Sequence, residues 1–571
     1  SYRNRWLVYY GANTDSEWYV SASPDKPTDT KTLIYTYNPT YDDAGSQLNE
    51  SSGQFALMYT AIENANLAIA GLRKYGSVET DAGMRYLLGE SLVLRAFFYF
   101  DLIKAWGDVP MRFQPIGETG DVNKPRSDRD EIYKQIIADL EEAVDYVDWP
   151  GEGVRTGTVT RVNKAFAYGL LARVCLSAAG YAQRPDEGRI GTGDIGSNRR
   201  SKLVEAGQEW GDNILYTKAL DACKAVIAKE NVCVKLEGSF EEIWRDMMKR
   251  QVSAGGETLF VIPFADNRGQ WMNNYAIRHA TADKYCGKAG AGGTIGPVPT
   301  LFYEYDKADR RRDVTCIPYR WNGGKQELEN VQKWYCGKYR YEWMNDVISG
   351  NDCGIKPILM RYADVLLMAA EAANELNDLP YAKEQLRKVR FRAFKSNEAV
   401  DKYLEGIGSK DAMFKAIYRE RMLEFSCEQI RKQDLIRWGL LKKSLDDVKG
   451  KMKAMLDHTT YTSELTDKTY DFSLVGTKVY YKYDADGETI QLHGLDFGEA
   501  GEPDGEGWTL YTSKKTDGTL EEEYIKSGTT STGRIDMIYQ YDPDVHMFWP
   551  IFKQSITTNS LLANDYGYPV R

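Results

Sequence analysis

Long stretches of the chain place apolar residues at helical spacing. In residues 53–74, GQFALMYTAIENANLAIAGLRK, apolar side chains recur every three or four positions, which is typical of an amphipathic helix. The segment that starts at residue 126 adds Ser127 and Asp130 as a capping box before its apolar run. The same spacing predicts helices within 89–110, 126–147, 159–181, 216–229, 362–376, 381–393 and 411–443.

The segment 89–110, GESLVLRAFFYFDLIKAWGDVP, differs from the others because its polar residues do not share one face. One side of the helix carries Glu90, Asp101 and Lys104, and nearly the opposite side carries Ser91, Arg95 and Tyr99. A helix that is apolar on most sides is normally buried. Its charges are too many for a membrane span. We therefore expect a scaffold helix in which Arg95 and Asp101 are satisfied internally and which ends at Gly107 and Pro110.

Two blocks, 246–355 and 455–545, lack helical spacing and contain strand-like pieces at 257–264, 477–484 and 508–515. Paired amphipathic helices with small-residue contacts indicate helix-turn-helix units stacked like tetratricopeptide repeats, although no strict 34-residue period is visible. We predict a mainly α, tetratricopeptide-repeat-like single domain over 1–571. Its parts are a helical scaffold at about 53–245 and 356–450, a loop-rich insertion at 246–355, and an irregular, β-containing C-terminal part at 451–571.

Charge and cysteine usage exclude several classes of protein. The chain has 571 residues and a formal net charge of -10, with acidic and basic residues interspersed, which argues against a nucleic-acid partner. It starts at Ser1 in mid-pattern without Met, so we expect that a targeting segment has been removed. Eight cysteines and four histidines show no zinc-type spacing, but Cys316, Cys336 and Cys353 could include a disulfide.

Catalytic and cofactor motifs are weak or missing. GTGDIG at 191–196 fits G-x-G-x-x-G but follows a polar loop rather than a strand, and GKAGAGGTIG at 287–296 lacks the Lys-Ser/Thr ending of a P-loop. No HExxH or GxSxG motif occurs, and the 83 acidic residues supply no positive sign of a glycosidase pair. We expect no catalytic residues, no cofactor and no metal, although Asp- and Asn-rich loops leave metal binding undecided.

Aromatic residues in the loops are the better functional candidates. Tyr and Trp combine a flat apolar face with a polar handle, and the chain has 39 Tyr and 13 Trp. Sugars stack their apolar faces on such rings while short polar side chains bind their hydroxyls, on loops held by a rigid scaffold. The alternation in YRYEW equally fits a strand with one aromatic face packed inward. The predicted glycan-binding residues are Trp271, Asn273, Asn274, Tyr275, Trp321, Trp334, Tyr335, Tyr339, Tyr341, Trp18, Tyr37 and Tyr41.

An ordered series of motifs carries a resemblance to a known family. The motifs are YTAIENANLAI (59–69), GESLVLRAFFYFDLIKAWGDVP (89–110), RSDRDEIYKQIIADLEEAV (126–144), TRVNKAFAYGLLARVCLSAAGY (160–181), LFYEYDKADRRRD (301–313), KPILMRYADVLLMAAEAANEL (356–376), IYRERMLEFSCEQIRKQDLIRWG (417–439) and FWPIFKQSITTNSLLANDYGYP (548–569). Together they resemble the SusD/RagB family of Bacteroidetes surface lipoproteins. The chain departs from the family pattern at Asp364, where Glu is usual, at Gln429, where Gly is usual, at Lys432 and Gln433, where aromatics are usual, and at Phe552, where Pro is usual.

The resemblance implies a non-catalytic protein that binds oligo- or polysaccharide at the cell surface through variable loops. It also implies a lipid anchor upstream of Ser1, an outer-membrane location and a SusC-like TonB-dependent transporter as partner. Three alternatives stay open: peptide capture by the same loops, an α-helical glycoside hydrolase, and a protein that only stabilises its transporter. The carboxylates of the 417–439 motif, Glu420, Glu424 and Glu428, are interpreted as scaffold ion pairs with i,i+3 and i,i+4 partners.

Overall fold

Helices dominate the protein. The structure is a computed structural model that describes residues 10–42, 48–50, 53–514, 518–525 and 532–571. The helices before the first excursion are α1 (Thr30–Tyr35), α2 (Gln54–Tyr75), α3 (Ala82–Trp106), α4 (Ile116–Thr119), α5 (Arg129–Ala143), α6 (Lys164–Ala179), α7 (Ile214–Ile227) and α8 (Phe240–Met248). Those that follow are α9 (Trp271–Tyr275), α10 (Leu301–Glu304), α11 (Arg312–Thr315), α12 (Tyr362–Glu375), α13 (Leu379–Phe394), α14 (Asn397–Glu405), α15 (Lys410–Phe425), α16 (Arg431–Arg437), α17 (Leu441–Leu456), α18 (Thr532–Asp536) and α19 (Lys553–Thr558).

The long helices form a continuous stack in which each packs against its neighbours along the chain. Helix α2 packs on α3, α3 on α5, α5 on α6 and α6 on α7. Helix α12 then packs on α7, so that the second helical segment continues the stack of the first, and α13 and α15 close it. The mainly α, repeat-like fold class is confirmed. Helices α8 and α14 were not predicted from the sequence.

Helix α3 is buried, as its all-round apolar pattern predicts. Arg95 donates two hydrogen bonds of 2.8 Å to the carboxylate of Asp139, and Asp101 forms an ion pair with Lys104. The helix ends at Gly107, whose φ of 69° suits glycine. A Cβ at this position would lie 2.4 Å from the Tyr566 hydroxyl oxygen, so glycine also makes room for the C-terminal segment.

The segment 411–443 is not one helix, contrary to the pattern of its apolar residues. Helix α15 ends at Phe425, and α16 and α17 follow as separate helices. Cys427 and Gln429 have φ values of 65° and 59°, a left-handed conformation that interrupts the helical hydrogen bonds. The family resemblance implies Gly at the position of Gln429, and glycine adopts this conformation without the steric cost that a side chain brings.

Helix α5 begins differently from the prediction. Asp128, not Ser127, is the N-cap, and its carboxylate accepts a hydrogen bond from the backbone N–H of Asp130. The Asp130 side chain turns away from the helix and pairs with Arg184 at 2.9 Å. The predicted capping box is therefore wrong, because a contact with a distant part of the chain takes the side chain of Asp130.

The carboxylates of the 417–439 motif lie in a buried ion-pair network. Glu424 is 0% exposed and lies 2.9 Å from both Arg311 and Arg361. Glu420 pairs with Arg311 at 2.8 Å, and Glu428 pairs with Arg361 at 2.8 Å. The interpretation as scaffold ion pairs is confirmed, but their partners come from distant elements instead of the next turn of the same helix. Burial alone would raise the pKa of Glu424, but Arg392, Arg361 and Arg311 hold that pKa well below its usual range.

Short strands fill the two excursions and the loops between helices. They are β1 (Glu17–Tyr19), β2 (Tyr181–Arg184), β3 (Ser197–Arg200), β4 (Thr258–Val261), β5 (Ile295–Pro297), β6 (Cys316–Ile317), β7 (Tyr319–Asn322), β8 (Lys325–Leu328), β9 (Tyr335–Cys336), β10 (Ile358–Arg361), β11 (Thr460–Thr462), β12 (Thr469–Asp471), β13 (Tyr480–Tyr483), β14 (Ile490–His493), β15 (Thr509–Leu510), β16 (Ser513–Lys514) and β17 (Leu520–Glu521). All pair antiparallel, and among the described strands the order β14-β13-β15 makes the one sheet with more than two strands.

The 191–196 loop has a structural role. Its backbone N–H groups at Gly191, Thr192 and Gly193 donate hydrogen bonds of 2.7, 3.1 and 3.0 Å to the carboxylate of Asp565. Successive amides that point to one anion form a nest, the same device that glycine-rich loops use for phosphates. The nest is filled by the protein's own C-terminal segment, so the motif fastens the chain end to the scaffold.

The eight cysteines are all buried free thiols. Cys316 and Cys336 lie opposite each other in the β6–β9 pair without a disulfide bond between them, and Cys353 is separate. The structure therefore contains none of the disulfides considered from the sequence.

Candidate functional site

The aromatic residues predicted to bind glycan are buried. Nine of them are at most 3% exposed: Trp18, Tyr37, Trp271, Tyr275, Trp321, Trp334, Tyr335, Tyr339 and Tyr341. In helix α9, Trp271 stacks on Tyr275 with ring centroids 5.5 Å apart, and Tyr339 packs 5.5 Å from Tyr275. The indole N–H of Trp334 donates a 2.9 Å hydrogen bond to the Tyr524 hydroxyl.

The burial of these nine rings contradicts the expectation that they offer exposed faces on which a sugar can stack. The alternation in YRYEW fits a strand with one aromatic face, but Tyr341–Trp343 forms a short 3-10 helix, and Tyr339 and Tyr341 are nevertheless buried. Large rings hold together short strands that have few hydrogen bonds of their own, because each buried ring removes a large apolar area from water. The aromatic content of block 246–355 therefore stabilises the excursion.

Asn273, Asn274 and Tyr41, the other three predicted residues, are partly exposed. Lys288 donates to the Asn273 side-chain oxygen at 3.4 Å, and the Asn274 amide donates to the Gln270 carbonyl at 3.1 Å. Their contact with a ligand stays a prediction.

Tryptophan exposure points to a different part of the chain. Among the described tryptophans, all are buried except Trp149, Trp438 and Trp508. Trp149 stacks on Tyr168 of α6, and the Trp438 indole donates to Glu371 of α12, so both belong to the helical scaffold. Trp508 lies in the C-terminal excursion, directly before β15. Of the three partly exposed tryptophans among the described residues, Trp508 is the one that lies outside the helical scaffold.

Trp508 belongs to an outward face of the three-stranded sheet, which we name the aromatic sheet face. Tyr480 pairs with His493 across β13 and β14, with ring centroids 6.5 Å apart, and His493 lies 6.0 Å from Trp508. The Lys482 amine lies 4.8 Å from the Trp508 ring centroid, a cation–π arrangement. Gln491, opposite Lys482 in the register, is exposed. The aromatic sheet face comprises Tyr480, Lys482, Gln491, His493 and Trp508.

The opposite side of the same sheet anchors it to the protein. Because side chains alternate along a strand, Tyr481 and Tyr483 point away from Tyr480, and Leu492 and Ile490 pair with them across β14. Ile490 and Leu492 pack on the second buried cluster of the protein. Tyr483 is 37% exposed, and its hydroxyl donates a 3.0 Å hydrogen bond to the Gln326 carbonyl.

Gln326 also joins the two excursions. Its backbone N–H donates to the Glu488 carbonyl at 2.8 Å, and its side-chain oxygen accepts from the Ile490 N–H at 3.0 Å. Lys284 forms a 2.6 Å ion pair with Glu488 on the same turn. The β7–β8 hairpin of the first excursion therefore contacts the β13–β14 hairpin of the second. These contacts fix the position of the sheet that carries the aromatic sheet face.

Sequence reasoning recognised 477–484 and 508–515 as strand-like but did not connect them. The available signal was Trp508, an aromatic that follows the glycine-rich acidic run GEPDGEG. Gly507, with φ at 89°, lies where a Cβ would be 3.3 Å from the Lys482 side chain, so glycine lets the loop approach the sheet closely. The proximity of Trp508 to His493 depends on strand register, which the pattern does not specify.

The described residues contain no group of three or more His, Cys, Asp or Glu side chains placed to hold a metal ion. In the same part of the chain, no helix combines the length and apolar character that crossing a bilayer requires.

A stacked helical frame that carries loops and a small sheet defines the class of helical-repeat proteins with loop insertions. Comparison with known families agrees with this class. The SusD family matches over residues 313–568, and the family described as "Starch-binding associating with outer membrane" matches over residues 8–176. The chain belongs to the SusD-like family, which confirms the resemblance carried by its motifs.

Individual relatives are distant in sequence. SusD-like protein P25 of Formosa agariphila is 23% identical over 72% of this chain and 75% of its own. A SusD homolog from Bacteroides thetaiotaomicron has a TM-score of 0.69 at 18% identity, covering 97% of this chain and 91% of its own. Surface glycan-binding protein A from the same organism, solved with laminarihexaose, has a TM-score of 0.56 at 19% identity, covering 77% of this chain and 85% of its own. These likenesses establish the fold.

Proposed function

We propose that this protein is a non-catalytic glycan-binding protein of the cell surface. It captures oligo- or polysaccharide and delivers it to a SusC-like TonB-dependent transporter in the outer membrane, to which a lipid anchor upstream of Ser1 holds it close. The family membership supports this role, as do structural neighbours solved with laminarihexaose and with a xylogluco-oligosaccharide. Weak single contacts suffice in such an arrangement because tethering raises the effective concentration of the ligand.

The aromatic sheet face is the proposed contact surface. The observation that carries it is the grouping of Tyr480, His493 and Trp508 on one face of the sheet, with the His493 ring inclined at 59° to Tyr480 and 60° to Trp508 and with Lys482 and Gln491 beside them. Rings of this kind can stack on the apolar faces of successive sugars, while the amine and the amide bind hydroxyls. The braced sheet pre-organises the rings, so that binding orders few side chains.

The experiment is affinity electrophoresis and calorimetry against a polysaccharide panel that includes laminarin and xyloglucan. Trp508→Ala is expected to weaken binding at least about tenfold, since one stacked ring is worth about 1.5 kcal/mol or more with its buried area. Trp149→Ala is the matched control, because it removes a half-buried tryptophan from the helical scaffold and is expected to leave affinity unchanged. Unchanged affinity in the Trp508→Ala protein would refute the site, and release of reducing ends from any bound glycan would refute the non-catalytic role.

A further inference from the structure

Three exposed carboxylates lie in the loop that leads to the aromatic sheet face. Glu502, Asp504 and Glu506 are all exposed, and among the described residues none of the three has an ion-pair partner. Other carboxylates of the region differ, since Asp496 and Glu499 pair with Lys307 at 2.9 Å. The loop therefore carries negative charge that the protein does not neutralise.

The geometry places this charge beside the rings. Trp508 lies under the Lys482 amine, and the position of a Gly507 Cβ is 3.3 Å from the Lys482 side chain, so the loop meets the sheet at Lys482. Strand β15 runs antiparallel to β13. The residues that precede Trp508 consequently extend toward the β13–β14 turn, at the same end of the sheet.

The β13–β14 turn adds to the negative charge at that end. Asp486 accepts hydrogen bonds from the backbone N–H groups of Glu488 and Thr489 at 2.8 and 3.0 Å, and these bonds lower the pKa of Asp486. Asp484 accepts from the Thr489 hydroxyl at 3.0 Å. Both aspartates are turn-forming residues without an ion-pair partner among the described residues, whereas Glu488 is paired with Lys284.

We infer that the aromatic sheet face selects uncharged glycans and rejects glycans that carry carboxylates or sulfates. Lys482 is the one cation of this face, and the five carboxylates at its end, Asp484, Asp486, Glu502, Asp504 and Glu506, outnumber it. An anionic sugar stacked on Trp508 would approach the acidic loop within about a Debye length, where repulsion is only partly screened. This inference rests on the proposed function and deepens it by naming the substrate class.

The test compares two derivatives of one polysaccharide that have similar substituent bulk. Hydroxyethyl cellulose is neutral and carboxymethyl cellulose is anionic, and the same pair can be prepared from whichever neutral glycan binds most tightly in the panel. At low ionic strength the protein is expected to bind the carboxymethyl derivative at least about fivefold more weakly than the hydroxyethyl derivative, with a smaller difference at high salt. Equal or tighter binding of the anionic derivative would overturn the inference.

A charge-removing variant connects the selectivity to the loop. Glu502→Gln, Asp504→Asn and Glu506→Gln together are expected to narrow the difference between the two derivatives. The control carries Glu384→Gln, Glu398→Gln and Glu405→Gln, three exposed positions on helices α13 and α14, and has the same change in net charge. If the affinity difference between the two derivatives narrows equally in both variants, or narrows in neither, the role of the loop is refuted.

The outcomes separate this inference from the proposed function. If a neutral glycan binds and Trp508→Ala abolishes this binding, but the anionic derivative binds with equal or higher affinity, only the inferred selectivity fails. If no glycan binds, or if Trp508→Ala leaves binding intact, the proposed site fails and the selectivity fails with it.

Discussion

The side-chain amine of Lys432 is buried inside the protein, and Lys432→Met is expected to stabilise the folded state at neutral pH. The residue lies in α16 and is 4% exposed. Its amine is 4.8 Å from the ring centroid of Tyr10 and 4.4 Å from that of Tyr37, and no carboxylate among the described residues pairs with it. The family resemblance implies an aromatic residue at this position, which would carry no charge.

The magnitude follows from the cost of charging a buried amine. Burial lowers the pKa of Lys432 from 10.5 to about 7. A difference of this size corresponds to about 5 kcal/mol that the charged amine costs the folded state. The pKa shift expresses the net preference of the site for the neutral amine, so the contacts with the two tyrosine rings are not subtracted from it. The expected gain in the free energy of unfolding for Lys432→Met is therefore at most about 5 kcal/mol at pH 7 or below.

The pH dependence has a defined sign. Because the folded pKa lies below the unfolded value, the unfolded chain binds more protons between pH 7 and 10.5, and the stability of the parent protein rises with pH in that window. Below pH 7 the amine is charged in both states and the full penalty is present. The Met variant lacks this titration, so its advantage is greatest at pH 7 or below and vanishes near pH 10.

Urea unfolding followed by tryptophan fluorescence at pH 6, 8 and 9.5 measures this difference. Lys338→Met is the matched control, because Lys338 is equally buried but lies 2.6 Å from Glu428 and donates to the Glu424 carbonyl at 2.9 Å. We expect that variant to lose about 3 to 5 kcal/mol, since it leaves a buried carboxylate less compensated. A Lys432→Met protein that is less stable than the parent at pH 6, or whose advantage is the same at pH 6 and 9.5, would refute the reasoning.

Two further variants test the structural assignments. Asp565→Ala removes the acceptor of three backbone hydrogen bonds from residues 191–193 and is expected to lower the free energy of unfolding by about 2 to 3 kcal/mol in the same urea assay, whereas an unchanged value would contradict the nest. Trp271→Ala is expected to cost about 3 to 5 kcal/mol because it empties a buried site, and scanning calorimetry should show a lowered transition. A Trp271→Ala protein of parental stability with reduced glycan affinity would restore Trp271 as a ligand contact.

The helical scaffold was predictable because its pattern is local. Apolar residues at helical spacing predicted α2, α5, α6, α7, α12 and α13, and the all-round apolar pattern of 89–110 predicted a buried helix. Internal satisfaction of Arg95 also followed from the sequence, since a buried charge without a partner is too costly to persist. The identity of its partner, Asp139, did not follow, because the two residues meet only when α3 packs on α5.

The aromatic residues show where local pattern fails. In YRYEW the alternation indicates that one side of the segment faces the core, and tertiary packing then places Tyr339 and Tyr341 on that side. Tyr480 and Lys482 alternate with Tyr481 and Tyr483 in the same way, yet here neither side is fully buried: Ile490 and Leu492, beside Tyr481 and Tyr483, pack on the second core cluster, whereas Tyr483 itself is 37% exposed. A pattern of period two specifies two faces but does not assign them.

The sequence by itself determined most of the long helices of this protein and its membership of the SusD-like family, because these depend on residues close together or on a series of motifs in order. Only the tertiary structure decided that the aromatic residues of block 246–355 are core, that 411–443 breaks at Cys427 and Gln429, and that Trp508 stands beside His493 and Lys482. The physical reason is that solvent exposure belongs to a residue's neighbours in space. Those neighbours come from strands and loops up to hundreds of residues away, whose register and packing no local pattern contains.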